Sequence, residues 1–195
     1  ETEVKENNET CPDHNQAYQK IEEENYFFKL SKYQKQLEDL IESNEFEVVP
    51  GNRRKEILNV IKGGLVDLSI SRPKKKLPWG IAVPGDSTQV MYVWFEALMN
   101  YISLLGYPDG DEFKHFWPTN LQIVGKDNLR FHAAIYPAML LSAKLPLLKR
   151  LFVHGHLTSG GKKMSKTIGN IVTTEQIVEK YGSDAFRYYF LRHVP

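Results

Sequence analysis

The chain has 195 residues, of which 42% are hydrophobic and 25% charged, and it carries a formal net charge of +1. This composition is typical of an ordinary globular protein of one or two domains, and the small net charge excludes a strong overall attraction to nucleic acid. The single cysteine, Cys11, excludes an internal disulfide and a zinc site with several cysteines, since Cys11 and His14 supply only two of the four ligands that structural zinc requires. No run of about 18 apolar residues predicts a membrane span.

The first third of the chain is predicted to be irregular and then helical. Residues 1–20 are polar and lack periodicity, which predicts a flexible segment. Apolar residues at helical spacing from Tyr26 to Ile41 predict a helix with Ser31 at its N-cap. A second helix is predicted from Arg53 to Lys62, and the alternation of apolar and polar residues from Leu65 to Ser71 indicates an extended segment.

Three β-rich runs follow, and each leads into a helix or a turn that contains glycine. Val90–Trp94 precedes a helical stretch, Leu121–Val124 precedes the turn Gly125–Asp127, and Leu151–His154 precedes a lysine-rich loop. Alternating strands and helices predict a doubly wound parallel sheet, in which ligands bind beyond the carboxyl ends of the strands. We therefore expect the ends of all three strands, and the residues that follow them, at one edge of one sheet.

Capping residues predict where the later helices begin. Asp127 is a good N-cap for a helix that passes through His132, and Pro137 is expected to kink that helix because it lacks a backbone donor. Thr173 and Gln176 have the spacing of a capping box, which predicts a further helix near the end of the chain.

The loop from Gly160 to Asn170 concentrates positive charge. Lys162, Lys163 and Lys166 lie within five positions, and no carboxylate lies between His154 and Thr174. Glycines before and after the lysines give the backbone conformational freedom. A mobile loop of this kind can close over phosphates, with its lysines as point charges. A solvated basic surface loop is the alternative interpretation.

Part of this loop resembles a known signature. Lys163-Met164-Ser165-Lys166-Thr167 differs from the Lys-Met-Ser-Lys-Ser motif of class I aminoacyl-tRNA synthetases only in its last residue. Other segments resemble the methionyl-tRNA synthetases of that class, in the same order and at suitable separations. They are Glu24–Leu30, Trp79–Asp86, Tyr92–Tyr101, Gly125–Asp127, Phe131-His132 and Tyr136–Ala138. The resemblance covers nearly all of residues 22–195.

The resemblance implies a particular domain organisation. The fold class would be α/β, the second half of a Rossmann-like doubly wound parallel sheet. Residues 1–89 would be the C-terminal part of a connective insertion, 90–170 the half-sheet with its lysine loop, and 171–195 the helical start of a stem-contact region. Neither the His-x-Gly-His signature of the first half nor a helical anticodon-binding region is present. We therefore expect a fragment of a longer enzyme that is inactive alone and exposes an unpaired sheet edge.

The family's functional residues are carried over by motif. The resemblance implies a methionine pocket lined by Trp94, Leu98, Tyr101 and His132. It implies an ATP site formed by Gly125, Asp127, His154, Gly155, His156, Leu157, Lys163, Met164, Ser165, Lys166 and Thr167. In that site Asp127 would accept hydrogen bonds from the ribose, Gly125 would leave room for the nucleotide, and the backbone of 154–157 would pass beside adenine.

The implied reaction is the activation of methionine by Mg-ATP to methionyl-adenylate, followed by transfer of the methionyl group to tRNA(Met). Lys166, helped by Lys163, would be the catalytic group and would stabilise charge on the triphosphate, so no protein nucleophile is required. A thioether favours aromatic surroundings, which agrees with the residues of the methionine pocket. Neither a protein-bound metal nor a structural zinc is expected.

Each of these assignments has a structural alternative. Trp94 and Tyr101 are also compatible with simple core aromatics, His132 with a buried histidine satisfied by its neighbours, and Asp127 with a helix cap alone. Lys74–Lys76 form either a solvated turn or a contact with the acceptor end of the tRNA.

The compartment and the wider function carry alternatives as well. The absence of zinc-binding cysteines, together with Leu105–Pro108 and Phe190–Pro195, resembles mitochondrial or bacterial-type members. It predicts the mitochondrial matrix, with the bacterial cytoplasm as the alternative. One alternative function is a class I synthetase for leucine, isoleucine or valine, although such enzymes usually carry a larger editing insertion. The other is a nonenzymic, synthetase-derived module that binds tRNA or a protein.

Overall fold

The computed structural model describes Thr10, Ala17, residues 22–164 and residues 169–193. The segment 1–20 that was predicted to be flexible therefore lies outside the described residues, apart from Thr10 and Ala17, which form an isolated antiparallel bridge. The chain forms two compact units. The smaller unit consists of residues 1–27 and 69–95, and the larger consists of residues 28–68 and 96–195.

The strands of the described residues are short. They are β1 Phe27–Phe28, β2 Glu47–Val49, β3 Leu68–Ser69, β4 Ser71–Pro73, β5 Ala82–Val83, β6 Asp86–Met91, β7 Leu121–Gly125, β8 Arg150–His154, β9 Thr158–Ser159 and β10 Lys162–Lys163. The α-helices are α1 Gln34–Glu42, α2 Gly51–Lys62, α3 Val93–Ala97, α4 Asn100–Ser103, α5 Asp111–Phe116, α6 Tyr136–Ser142, α7 Thr174–Tyr181 and α8 Ser183–His193. None of the helices in this described part is long and apolar enough to cross a membrane.

A parallel sheet forms the centre of the larger unit, which confirms the predicted α/β class. Its strand order is β2-β8-β7, and both pairings of the central strand are parallel. Val48, Leu151, Val153 and Val124 point into the core and are at most 7% exposed. On the opposite face of the outer strand β7, Ile123 remains 63% exposed. Among the described residues, β2 and β7 are thus the edge strands of a three-stranded sheet.

The third parallel strand is β2, and the prediction that Val90–Trp94 fills this place is wrong. Val90 and Met91 end β6, which lies between β4 and β5 in an antiparallel sheet of the smaller unit. Gly85 has φ of 83° and reverses the chain directly before β6. A tight reversal joins antiparallel strands, whereas a parallel pair requires a longer crossover. Trp94 consequently does not follow a strand of the parallel sheet.

Two amphipathic helices of the larger unit pack beside β2. Leu37 and Ile41 of α1, and Ile57 and Ile61 of α2, are at most 1% exposed. The predicted second helix is confirmed as α2. The predicted N-cap at Ser31 is wrong, because α1 begins at Gln34 after a 3-10 turn and has no side-chain cap. The Ser31 hydroxyl instead donates to the Asp67 carboxylate at 2.6 Å.

Polar contacts link the segments of the smaller unit. Buried Ser71 donates its hydroxyl to the side-chain oxygen of Gln89 at 2.8 Å and accepts the backbone N–H of Tyr26, also at 2.8 Å. The Arg72 guanidinium stacks 4.3 Å above the ring of Tyr92. Burying these groups costs little because each polar atom in these bonds has a partner.

The segment after β7 is helical from residue 126 to 142, as the sequence predicts, but it is not a regular α-helix. It consists of a 3-10 turn at Lys126–Asn128, a π-helix at Phe131–Ile135, and then α6. Asp127 lies inside the 3-10 turn and Gly125 occupies the N-cap position, so the predicted N-cap position of Asp127 is wrong. Pro137 is the second residue of α6, directly after the π-helix, and it lacks the backbone N–H that would continue the helical hydrogen bonds.

The end of the chain follows the prediction closely. The Thr173 hydroxyl accepts the N–H of Gln176 and the Gln176 side chain accepts the N–H of Thr173, so the capping box is confirmed. Gly182, with φ of 82°, ends α7 and α8 begins at the next residue.

Candidate functional site

The carboxyl ends of β7 and β8 lie side by side. Gly125 is paired with His154 in the parallel register. Gly125 has ordinary extended angles, φ −73° and ψ 154°, so its backbone does not require glycine. Among the described residues, a methyl group built on it would meet only the His154 ring, at 3.6 Å, which is an ordinary contact. Neither conformation nor packing explains a glycine here, and the space beside it is open to a ligand.

Two residues beyond each strand end, a carboxylate and an imidazole meet. His156 Nε2 lies 3.3 Å from Asp127 Oδ1. The Asp127 side chain is 63% exposed and the His156 side chain 24% exposed, so both groups remain within reach of a bound molecule. Next to them, His154 Nδ1 donates to the carbonyl of Gly155 at 2.7 Å, since a carbonyl can only accept. Five of the residues predicted for the ATP site are thereby brought together: Gly125, Asp127, His154, Gly155 and His156.

The lysine-rich loop begins as a β-hairpin. Strand β9 pairs with β10 in the antiparallel sense, Thr158 opposite Lys163 and Ser159 opposite Lys162. Gly160 and Gly161 connect them with φ of 58° and 75°. Two successive positive φ values are what a two-residue type I′ turn requires, so these glycines shape a specific turn rather than only loosening the backbone. A Gly-Gly pair between two short polar runs was the sequence signal for this hairpin.

The remaining predicted ATP-site residues divide into two groups. Leu157 and Met164 line a largely apolar cavity of about 470 Å³ between the hairpin and helices α7 and α8. Ser165, Lys166 and Thr167 lie outside the described residues, as does the side chain of Lys163.

A buried histidine lies at the start of the π-helix. His132 is 6% exposed, and its Nδ1 donates to the carbonyl of Asn128 at 3.0 Å. Its Nε2 is 2.9 Å from the hydroxyl of Tyr101 and accepts that proton when the ring is neutral. Burial lowers the pKa of His132, while the bond to Asn128 opposes that shift. The neutral ring therefore presents the Tyr101 hydroxyl in a fixed orientation.

Tyr136 completes this aromatic group and was not predicted as a site residue. Its ring centroid is 5.5 Å from that of Tyr101 and 6.4 Å from that of Trp117. Tyr136 is fully buried, its hydroxyl has no hydrogen-bond partner among the described residues, and burial raises its pKa. The available signal was its spacing of four residues from His132, which places two helical side chains on one face.

The other two predicted methionine-pocket residues lie in different units. Leu98 belongs to the larger unit, with Tyr101 and His132, and is 6% exposed. Trp94 belongs to the smaller unit and its side chain is 53% exposed. A core role for Trp94 in the smaller unit is therefore excluded. Among the residues that the structure describes, no three histidine, cysteine or acidic side chains are grouped as metal ligands.

Acidification is expected to destabilise the larger unit through His132. Burial places the folded-state pKa of His132 below its unfolded value of about 6.5. Between these two pKa values the unfolded state therefore binds more protons than the folded state. The contribution of neutral His132 to the free energy of unfolding is complete above about pH 6.5 and is lost as the pH falls through the folded-state pKa. Urea unfolding at pH 7.5 and 5.5 tests this. His132→Gln is expected to lose less stability between these two pH values than the parent, and the exposed control His115→Gln is expected to lose as much as the parent.

Sequence comparison shows which known proteins this chain is similar to. Residues 2–195 match the family described as tRNA synthetases class I (M). A methionine–tRNA ligase of Brucella suis is 54% identical over 176 residues, which is 90% of this chain and 34% of that protein. A methionine–tRNA ligase of Nostoc is 48% identical over 190 residues, which is 94% of this chain and 36% of that protein.

Solved structures give the same result. Mycobacterium tuberculosis methionyl-tRNA synthetase in complex with methionyl-adenylate superposes with a TM-score of 0.83 at 42% identity. The free-state structure of that enzyme superposes with a TM-score of 0.80 at 39% identity. Both matches cover 95% of this chain and 36% of the solved chain. The chain thus spans about one third of the length of the proteins that it matches.

Proposed function

The chain belongs to the methionyl-tRNA synthetase family of class I tRNA synthetases, and from this premise we propose that it forms part of a catalytic domain for methionine activation. In the proposed reaction, the methionine carboxylate attacks the α-phosphorus of Mg-ATP and pyrophosphate leaves. The methionyl group of the resulting adenylate is then transferred to the 3′ end of tRNA(Met). Because the chain is one third as long as its relatives, the remaining parts of the site would come from outside these residues.

The observation that carries this proposal is the paired ends of β7 and β8. Gly125 leaves open space that the protein itself does not need, and Asp127 lies two residues beyond it with an accessible carboxylate. A carboxylate accepts hydrogen bonds from the two hydroxyls of a ribose, and a glycine allows a nucleotide to approach the backbone closely. The carboxyl end of a parallel sheet is also where ligands bind in doubly wound folds. These features support the nucleotide as the ligand, with the backbone of 154–157 beside adenine.

The methionine side of the proposed site rests on His132 and Tyr101. The neutral histidine holds the Tyr101 hydroxyl at 2.9 Å, and Leu98 adds an apolar surface in the same unit. A thioether is a weak acceptor that packs favourably against aromatic rings. We also propose Trp94 as a methionine-binding residue, because of its motif.

Charge stabilisation is assigned to the lysine loop. Lys166, with Lys163, would neutralise the negative charge that develops on the triphosphate, which is electrostatic catalysis without a covalent intermediate on the protein. The β9–β10 hairpin supports this proposal. Strand β9 begins four residues after β8 ends, and the hairpin brings the lysine-rich strand β10 back beside β9. Mg²⁺ would enter with ATP as part of the substrate.

The domain boundaries and the compartment are also proposals. We keep 1–89 as part of a connective insertion, 90–170 as the catalytic half-sheet and 171–195 as the start of the stem-contact region. The mitochondrial matrix is the proposed location and the bacterial cytoplasm its alternative; the bacterial origin of the relatives described above supports a bacterial-type enzyme.

ATP–pyrophosphate exchange tests the proposed activity. The assay uses a protein of the relatives' full length that carries this chain, called the complete protein below. We expect exchange that depends on methionine and that leucine, isoleucine or valine at the same concentration does not support. A folded complete protein that exchanges with none of these amino acids would overturn the enzymatic proposal and favour a nonenzymic RNA- or protein-binding module.

A further inference from the structure

We propose that the side chain of His156 is a positioning residue that orients the Asp127 carboxylate toward the ribose of ATP. This inference rests on the proposed function, because it presupposes that Asp127 binds the nucleotide. The resemblance concerns only the backbone around His156 as a neighbour of adenine, and it assigns no role to the imidazole.

The two residues belong to different strand ends that the sheet holds in register. Gly125 and His154 are directly paired, and Asp127 and His156 each follow two residues later. The 3.3 Å distance from His156 Nε2 to Asp127 Oδ1 thus links two segments that leave neighbouring strands. An ion pair or hydrogen bond between these two atoms would keep the Asp127 carboxylate in a fixed direction relative to the parallel sheet.

The exposure of the two side chains explains why such a link matters. The Asp127 side chain is 63% exposed and the His156 side chain only 24% exposed, so the imidazole is the more firmly enclosed of the two groups. At 3.3 Å, an N–H on His156 Nε2 can donate to one carboxylate oxygen, and an ionised carboxylate still has further acceptor sites for ribose hydroxyls. Fixing a side chain before a ligand arrives lowers the entropy that is lost on binding. The expected benefit is tighter ATP binding, without any change in the chemical step.

The proposed role of His156 concerns ATP binding and not the stability of the fold. An ion pair with a largely exposed carboxylate contributes little to stability. Replacing His156 is therefore expected to leave the unfolding temperature almost unchanged, while the KM for ATP rises. A merely structural histidine would produce the opposite pattern.

The test compares exchange kinetics of four complete proteins: the parent, His156→Phe, His156→Gln and the control His115→Phe, whose histidine is exposed on α5. Phenylalanine keeps the ring but has no donor, whereas glutamine keeps an N–H that can reach the carboxylate. We expect His156→Phe to raise the KM for ATP by about three- to tenfold with nearly unchanged kcat, since that is the range for one immobilised side chain. His156→Gln is expected to recover most of the loss, and His115→Phe to match the parent.

A second comparison shows whether the effect passes through Asp127. In an Asp127→Asn background, adding His156→Phe is expected to raise the KM for ATP much less than it does in the parent, because coupled residues are not additive. The inference is overturned if His156→Phe leaves the KM unchanged in an active parent, or if its effect is the same with and without Asp127. A parent that lacks methionine-dependent exchange overturns the proposed function first, and the inference falls with it.

Discussion

Replacing Lys166 by alanine is expected to lower the rate of methionine-dependent exchange in the complete protein by about 10²-fold or more, which is the usual cost of losing one preorganised contact to transition-state charge. Attack on the α-phosphorus moves negative charge onto the leaving pyrophosphate, and a lysine ammonium stabilises that charge directly. The loss is expected mainly in kcat, because the contact strengthens as the reaction proceeds. The measurement is steady-state exchange over a range of ATP concentrations.

Lys162→Ala is the matched control for this change. Lys162 carries the same charge in the same loop, but its backbone is paired with Ser159 inside the hairpin and its side chain is exposed. We expect it to reduce exchange only slightly, as for one diffuse surface charge. Equal losses in both variants would show that the loop contributes only its general positive potential, and would contradict a catalytic assignment for Lys166.

Gly125→Ala is expected to weaken ATP binding strongly while leaving the fold intact. The new methyl group would contact only the His154 ring at 3.6 Å, so the free protein accepts it without a clash. A nucleotide packed against this backbone would have no room for it, and overpacking of that kind costs about 1–3 kcal/mol. The KM for ATP is therefore expected to rise roughly 5- to 150-fold. Exchange kinetics and thermal unfolding of the same variant measure the two effects separately.

Gly51→Ala controls for the loss of a glycine as such. A methyl group on Gly51 meets no atom of the described residues within 4 Å, and this residue begins α2, two residues after the outer strand β2 ends. Exchange by this variant is expected to equal that of the parent. If Gly125→Ala also exchanges normally, the nucleotide does not approach this backbone, and the proposed placement of ATP is wrong.

Local signals in the sequence were sufficient to predict the elements that are defined by contacts between residues close in the chain. Strands β7 and β8 are short apolar runs bounded by turn residues, and α2 has a buried stripe at helical spacing. The capping box at Thr173 is a contact between residues three positions apart, so its spacing specifies it. These elements were predicted because the interactions that define them are local.

The third strand of the parallel sheet was predicted incorrectly because strand pairing depends on distant residues. Glu47–Val49 is only three residues long, and its partner β8 lies about a hundred positions later in the chain. Nothing near Val90 indicates that its partner would be Arg72 in an antiparallel sheet. Hydrophobic runs therefore reveal that a strand exists without revealing which sheet it joins.

The same distinction between local and distant contacts applies to the residues of the candidate site. Sequence motifs indicated Asp127, His132 and Tyr101 as functional candidates, but not the bonds that orient them. The link from His156 to Asp127 and the link from Tyr101 to His132 both join residues about 30 positions apart. Such orienting contacts arise only when the parallel sheet and the π-helix have placed both partners.

The π-helix at Phe131–Ile135 has a consequence for how this region can change. It separates His132 from Tyr136, and the ring of Tyr101 lies 5.7 Å from the first and 5.5 Å from the second. In an α-helix each residue turns the chain by about 100°. Losing or gaining a single residue between the two would therefore rotate His132 away from the Tyr101 hydroxyl and shift the strand end that precedes it. This stretch tolerates the exchange of one side chain for another much more readily than an insertion or a deletion.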